Sequence, residues 1–244
     1  MFSPAEIHNF FLELQAFQMS WNDVVNVKKA TKADQTPVTE IDHAISDFFK
    51  QHSLATGYTF YSEEDHGELK FPALILDPLD GTRDFIEGRP ECAVSAAWMT
   101  GPELNSKHFA LLMNPFTGFQ LSSHQAAAWQ SRPQSGPYLG LVSRSEWQQG
   151  LYEKHKNPSL QLQPRGSIAF KLGLLASGSC DFAVSLKPKN VWDIAAGTLL
   201  AEQRGMQCWS KGKRVTDLSK ATYQAPLIWA QPELIPSLLS EFSL

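Results

Sequence analysis

The sequence predicts a mixed α/β fold of the α+β kind, with helices covering sheets built from short apolar strands. Three observations predict it. Apolar side chains recur at spacings of three and four in several segments, as on one face of a helix. Between residues 92 and 129 the pattern changes to short apolar runs separated by turn-forming residues, which reads as an antiparallel meander. Beyond Gly136-Pro137 strand-like and helix-like segments alternate.

Taken in order, Ile7, Phe10, Phe11, Leu14 and Phe17 place a helix over 4–20, opened by Ser3-Pro4. Thr39 can cap a second helix over 39–52, where Ile41, Ala44, Ile45, Phe48 and Phe49 share a face. Strands are expected at 58–61 and 73–76, each ending directly in acidic residues. The meander comprises 93–99, 109–113, 119–121 and 126–129, broken at Thr100-Gly101-Pro102 and Asn114-Pro115-Phe116-Thr117-Gly118. Then come a strand at 138–142, a helix near 146–155, a strand at 160–162 and a helix over 167–176. A strand at 182–186, a helix over 192–204 and a strand at 206–209 follow. Residues 131–137 read as a linker between a meander-bearing half, 1–135, and a smaller α/β half, 136–244.

With 244 residues, 43% of them hydrophobic and 19% charged, the chain can bury a sizeable core as one domain or as two sharing an interface. Its 21 Lys and Arg against 25 Asp and Glu give a net charge of −4 without long runs of one sign. That balance argues against a general nucleic-acid or membrane-binding surface. The N-terminus has no basic leader, and no apolar stretch approaches the roughly 18 residues that span a bilayer, so the expected location is the cytoplasm. Cys92, Cys180 and Cys208 are too scattered for a zinc site or a disulfide framework and are expected as buried free thiols. His43, His66 and His124 have no partner at ligand spacing. Trp98, Trp129 and Trp147 lie in apolar patterns and are expected in the core.

The sharpest local feature is Leu74-Ile75-Leu76-Asp77-Pro78-Leu79-Asp80-Gly81-Thr82, an apolar strand ending in two aspartates. Pro78 lacks a backbone donor, so the strand is expected to leave the sheet here with both carboxylates at its end. Such hard oxygen ligands suit Mg²⁺. Considered alone, the same residues fit a surface turn about equally well. Ser62-Glu63-Glu64-Asp65, also at a strand end, shifts the balance toward a site. Asp193, in Val191-Trp192-Asp193-Ile194-Ala195-Ala196-Gly197, reads by itself as an acid complementing a helix dipole.

Together, Thr36-Pro37-Val38-Thr39-Glu40-Ile41-Asp42, Ser62-Glu63-Glu64, Asp77-Pro78-Leu79-Asp80-Gly81-Thr82 and Trp192-Asp193-Ile194-Ala195-Ala196-Gly197 resemble the inositol monophosphatase family of lithium-sensitive, Mg²⁺-dependent phosphatases. The resemblance implies a layered α-β-α-β-α sandwich holding two to three Mg²⁺. It implies that Glu63, Asp77, the Leu79 carbonyl, Asp80 and Asp193 are the metal ligands. Asp42, Thr82 and Glu63 would be catalytic, Asp42 and Thr82 as the pair that orients and deprotonates the attacking water. The amides of Gly81 and Thr82 would receive the phosphate.

The implied substrate is a small phosphorylated metabolite. Inositol-specific members carry a glutamate seven residues before the motif aspartate, where this chain has Leu186. Asp80-Gly81-Thr82-Arg83-Asp84-Phe85-Ile86 and Ser143-Arg144-Ser145 are more similar to the bacterial 3'(2'),5'-bisphosphate nucleotidase branch. Arg144, Ser167, Lys171 and Lys187 are therefore expected to contact substrate, a second phosphate suiting the cations. Glu91 has no counterpart in this pattern. The implied activity is thus that of a bisphosphate nucleotidase or an inositol-phosphatase-like enzyme; alternatives sharing the chemistry are a sugar-bisphosphate or histidinol-phosphate phosphatase, and a regulatory binding partner is a further one. The resemblance also implies that the chain can pair as a homodimer.

Overall fold

The computed structural model describes residues 10, 12–14, 16, 29–31, 37–124 and 136–243. Phe10, residues 12–14 and Ala16 are helical. Strands β1 (Lys29–Thr31) and β2 (Pro37–Thr39) form a small antiparallel pair leading into helix α1 (Glu40–Thr56). There follow β3 (Thr59–Ser62), β4 (Ala73–Asp80), the short helix α2 (Thr82–Ile86), β5 (Ala93–Met99), β6 (Phe109–Met113) and β7 (Gln120–Ser122). The five strands β3 to β7 lie side by side in chain order. β3 and β4 are parallel, and the rest of this sheet is antiparallel.

The remaining chain forms β8 (Tyr138–Ser143), α3 (Arg144–Gln148), β9 (Leu160–Arg165), α4 (Ile168–Ala176), β10 (Phe182–Ser185), β11 (Lys189–Asn190) and α5 (Val191–Glu202). It ends with β12 (Gln207–Ser210), β13 (Lys213–Arg214), β14 (Thr222–Tyr223), β15 (Leu227–Ala230) and α6 (Ile235–Phe242). A six-stranded sheet has the order β13-β12-β15-β10-β8-β9, while β11 and β14 pair separately.

Strand alternation sorts the side chains into layers, because successive residues point to opposite faces of a sheet. Leu74 and Leu76 of β4 pack with Ile41, Ile45 and Phe49 of α1 and with Leu14. Ala73 and Ile75 face the other way, into a cluster with Leu172 of α4 and Ile194 and Leu199 of α5. That helix layer in turn meets Leu141, Ala183 and Trp229 of the six-stranded sheet. On the far face Val142, Phe182, Val184 and Ile228 pack against Ile235, Leu238 and Phe242 of α6. The molecule is thus the expected α-β-α-β-α sandwich. Each fully buried Leu, Ile or Phe contributes about 1.5–3 kcal/mol through removal from water. The middle helix layer requires close approach: a Cβ added at Gly197 of α5 would lie 2.4 Å from Leu172 Cβ of α4.

Several sequence expectations are corrected. β4 does not leave the sheet at Pro78; pairing with β5 resumes at Asp80, opposite Ala93, after a register shift beyond Asp77. A bulge spares the missing Pro78 donor from the ladder and re-aims the flanking carboxylates. The helix expected near 146–155 is only α3, followed by turns through 154. Trp147 therefore is not core: it is 42% exposed and stacks on Tyr152. The strand expected at 126–129, Trp129 and most of the linker at 131–137 lie outside the described residues. The three cysteines are buried free thiols, as expected. Among the described residues no helix is long and apolar enough to cross a membrane.

Candidate active site

Sheet register brings the first acids together. Ser62 of β3 lies opposite Leu76 of β4, so the next residue on each strand, Glu63 and Asp77, emerges at the same end of a parallel pair. The Glu63 amide donates to the Leu76 carbonyl at 3.1 Å. Asp77 is buried, and its Oδ1 accepts from the Leu79 amide at 3.0 Å. The bulge then carries Asp80 to the start of α4, where its Oδ2 accepts from Ser167 Oγ and the Ala169 amide, each at 2.6 Å. The Ala169 amide is an orphan donor of the helix N-terminus and Ser167 is its N-cap, an end that favours an anion.

The other half supplies Asp193 in the first turn of α5. Its Oδ2 accepts from the Asn190 amide at 2.9 Å as part of a capping box. One oxygen from each of Asp77, Asp80 and Asp193 lies within 4.8 Å of the others. A fourth carboxylate, Asp42, is buried in the first turn of α1. Its Oδ2 accepts from the Thr39 amide at 2.8 Å and the Thr39 hydroxyl at 2.5 Å. The Thr82 hydroxyl lies 3.2 Å from Asp42 Oδ1 and 2.8 Å from the Leu79 carbonyl oxygen. Between them Gly81 adopts φ +91°, and a Cβ there would come within 2.7 Å of the Glu91 carbonyl oxygen. Only glycine fits that left-handed, crowded position.

Burial and mutual repulsion destabilise the charged forms. Burial first, and then Glu63, Asp80, Asp193 and Asp42, push the Asp77 carboxyl well above the usual range. Burial and Asp80 raise Asp193 to about 7, against the pull of Lys189. Burial also raises Asp42, although Thr39 and Thr82 donate to it. Asp77 Oδ2, Asp80 Oδ1 and Asp193 Oδ1 accept no hydrogen bond among the described residues; the bonds fall on their other oxygens. Three converging anionic oxygens with such a shortage of donors fit a hard divalent cation.

The expected substrate contacts divide differently. Gly81, Thr82 and Ser167 lie at the cluster, Ser167 through Asp80. Lys171 does not offer a free cation: it is buried, and its ammonium donates to the carbonyls of Arg165, Gly166 and Ser167 at 2.8–3.3 Å. Its three donors hold the loop before α4, and burial lowers its pKa to about 8. Lys187 is exposed and donates to Gln149 Oε1; Lys189 is the neighbour whose charge acts on Asp193. Arg144 is engaged by Asp84 at 2.5 Å and by Glu91. Glu91 also accepts from the Gly166 amide at 2.6 Å.

Sequence reasoning gave Glu91 no role and missed Glu146. The latter is fully buried in α3, accepting from Ser185 Oγ, Tyr152 Oη and the Leu186 amide at 2.7–2.8 Å. Its Oε1 is 3.9 Å from Lys189 Nζ. The signal in both cases is an acid among apolar or small neighbours, but apart from Tyr152 the hydrogen-bond partners are 39 to 75 residues away in sequence.

The layered fold and the carboxylate cluster define a class, and comparison with known proteins identifies it. The inositol monophosphatase family model matches residues 12–241. A fructose-1,6-bisphosphatase/inositol-1-monophosphatase of Thermotoga maritima is 26% identical over 82% of this chain and 81% of its own. The Nus factor SuhB of Escherichia coli K12 is 30% identical over 79% of this chain and 73% of its own. The 3'(2'),5'-bisphosphate nucleotidase CysQ of the same organism is 29% identical over 72% and 76%. Among solved structures, Thermotoga maritima IMPase superposes with a TM-score of 0.73 at 19% identity, covering 98% of this chain and 97% of that one. Staphylococcal IMPase-I complexed with products gives 0.74 at 17% identity, covering 98% and 95%. The chain belongs to the inositol monophosphatase family. It is accordingly a phosphoric monoester hydrolase.

Proposed function

We propose that this chain is a Mg²⁺-dependent phosphatase of a small phosphorylated metabolite in the cytoplasm, with a 3'(2'),5'-bisphosphate nucleotide as the favoured substrate. The observation that carries the proposal is the convergence of Asp77, Asp80 and Asp193 oxygens within 4.8 Å, where burial and neighbouring acids disfavour the charged forms of Asp77 and Asp193. The nucleotidase named CysQ among the relatives supports the substrate class. So does Leu186, whose apolar side chain cannot accept hydrogen bonds from inositol hydroxyls.

In this reading Asp77, Asp80, Asp193, Glu63 and the Leu79 carbonyl hold two to three Mg²⁺. Bound there, the ions neutralise the phosphoryl oxygens and make water acidic enough to attack. The Thr82 hydroxyl, 3.2 Å from Asp42 Oδ1, would orient that water, and Asp42 would receive its proton. A carboxylate raised by burial is a better base than an exposed one. The Gly81 and Thr82 amides take phosphate oxygens. Asp84 and Glu91 hold the Arg144 guanidinium, which in this reading would meet the substrate.

The test is phosphate release from adenosine 3',5'-bisphosphate, inositol 1-phosphate, fructose 1,6-bisphosphate and histidinol phosphate, with Mg²⁺ or a chelator and with Li⁺ added. Mg²⁺-dependent, Li⁺-inhibited turnover, fastest on the nucleotide, is expected. Turnover that persists in chelator, or in Asp80→Asn at saturating Mg²⁺, would sink the metal assignment.

A further inference from the structure

A cavity lined by several charged side chains lies outside the carboxylate cluster. It has a volume of about 400 Å³ and is walled by β13, β14 and the residues around them from Ser210 to Gln224. Four cationic side chains line it, Lys211, Lys213, Arg214 and Lys220, against one carboxylate, Asp217. In a chain of net charge −4 that is a marked local excess of positive charge. Asp217 is already occupied by the Ser219 amide and hydroxyl, which with Lys220 hold its carboxyl below the usual range. Arg214 reaches Glu202 at 3.4 Å, whereas Lys211 and Lys213 have no ion-pair partner among the described residues.

The hairpin that carries these cations is fixed. Lys211 at φ 49° and Gly212 at φ 73° form the two-residue link between Ser210 and Lys213, which pair across it. Positive φ at both positions matches the twist of a hairpin, but a lysine there is uncommon.

Sheet topology sets the cavity beside the catalytic centre. Ser185 of β10 and Ser210 of β12 both pair with Leu227, so the two strands end at the same edge, about 10 Å apart. β10 leads directly to β11 and Asp193. From the cavity side, Thr222 Oγ1 donates to Asn190 Oδ1 at 3.1 Å, and the Asn190 amide donates to Asp193. Arg144 and Lys171, two of the cations expected at the cluster, are committed to carboxylates and carbonyls.

We propose that this cavity is a second anion site that takes a phosphate-bearing small molecule. The phosphate comes either from the remote end of the substrate or from a separate phosphorylated effector. The site stands apart from the phosphatase reading, and only its use by substrate rests on it.

The experiment is calorimetric titration of inorganic pyrophosphate into the chelator-washed full chain, whose bare carboxylate cluster repels anions. Saturable binding that weakens with added salt is expected, because exposed charges are screened. Lys211→Ala and Lys213→Ala should each weaken it about tenfold, and Lys154→Ala, at an exposed lysine elsewhere, should not. Absence of saturable binding, or equal loss in Lys154→Ala, would overturn the site. If Lys213→Ala raises KM for the bisphosphate about tenfold and leaves KM for a monophosphate ester unchanged, the substrate supplies the phosphate. If both KM values hold while pyrophosphate binding is lost, the ligand is a separate effector. A chain that binds pyrophosphate through these lysines yet hydrolyses no ester sinks the phosphatase reading and leaves the anion site standing.

Discussion

Ser167 Oγ donates to Asp80 Oδ2 at 2.6 Å, tying the start of α4 to the end of β4 across 87 residues of chain. The same hydroxyl accepts from the Phe170 amide at 2.9 Å and so caps α4. One side chain therefore serves helix stability and the orientation of a candidate ligand. Ser167→Ala should lower stability by about 1 kcal/mol through the lost cap. It should also raise the Mg²⁺ concentration for half-maximal activity roughly tenfold, as loss of a ligand's supporting hydrogen bond does. Parallel Mg²⁺ titrations of activity and of melting temperature check this; an unchanged midpoint in both would show that the Ala169 amide alone orients Asp80.

Glu91 and Arg144 pair with side chains 16% and 20% exposed, and Glu91 Oε2 also holds the Gly166 amide just before Ser167. Removing either partner leaves a mostly buried charge with one counter-ion fewer: Arg144 would keep Asp84, and Glu91 only the longer 3.8 Å approach of Arg165. Arg144→Leu should cost on the order of 3 kcal/mol, whereas Glu91→Leu with Arg144→Leu should cost less than the sum of the single changes. Glu91→Gln keeps an acceptor for Gly166 and should retain more activity than Glu91→Ala. Urea unfolding of the single and double leucine variants measures the coupling, and additive losses would deny it.

The fold was legible where the sequence pattern is local. The short apolar runs at 93–99 and 109–113, bounded by turn-forming residues, match β5 and β6 residue for residue. Glu63 and Asp77 could be paired from sequence because each directly follows a strand, and strand neighbours share an end. β15 was not legible: Leu227-Ile228-Trp229-Ala230 is a four-residue apolar run, too short to tell from a buried helix segment, and only the tertiary fold makes it a central strand. The surroundings of Lys171 were not legible for a related reason. Its charge suggests a ligand, but its partners are backbone carbonyls of a loop whose path no residue pattern reveals.

The helix layer between the sheets has little spare volume. Gly197 faces Leu172, whose Cβ, Cδ1 and Cγ would all lie within 3.1 Å of a methyl group added at Gly197. Gly197→Ala should destabilise by about 1–3 kcal/mol despite alanine's better helix propensity, because overpacking outweighs the roughly 1 kcal/mol gained in the backbone. Pairing it with Leu172→Ala should recover part of the loss relative to additivity. Chemical denaturation of the single and double variants reads this directly, and a stabilised Gly197→Ala would show that the two helices can move apart.

Asp77 and Asp193 give the metal-free chain a pH dependence opposite to that of salt-bridged carboxylates. Their folded-state pKa values are raised by burial and by neighbouring acids, Asp193 to about 7, above the usual value near 4 for an unfolded aspartate. Between these limits the folded chain binds more protons than the unfolded one. Their contribution is therefore fully present below about pH 4 and is lost as pH rises through about 7. Lys171, lowered to about 8, works the other way only above that pH, and Asp217 only below the usual aspartate range. In chelator the melting temperature should fall from about pH 5 to about pH 8. Mg²⁺ binds the deprotonated carboxylates, so it should raise the melting temperature more at about pH 8 than at about pH 5; at a hundred times its Kd the gain is about 2.7 kcal/mol. Thermal scans across this range, with and without Mg²⁺, give both signs at once. A chelated chain that melts higher at about pH 8 than at about pH 5 would mean that the cluster is already compensated by groups of the protein itself.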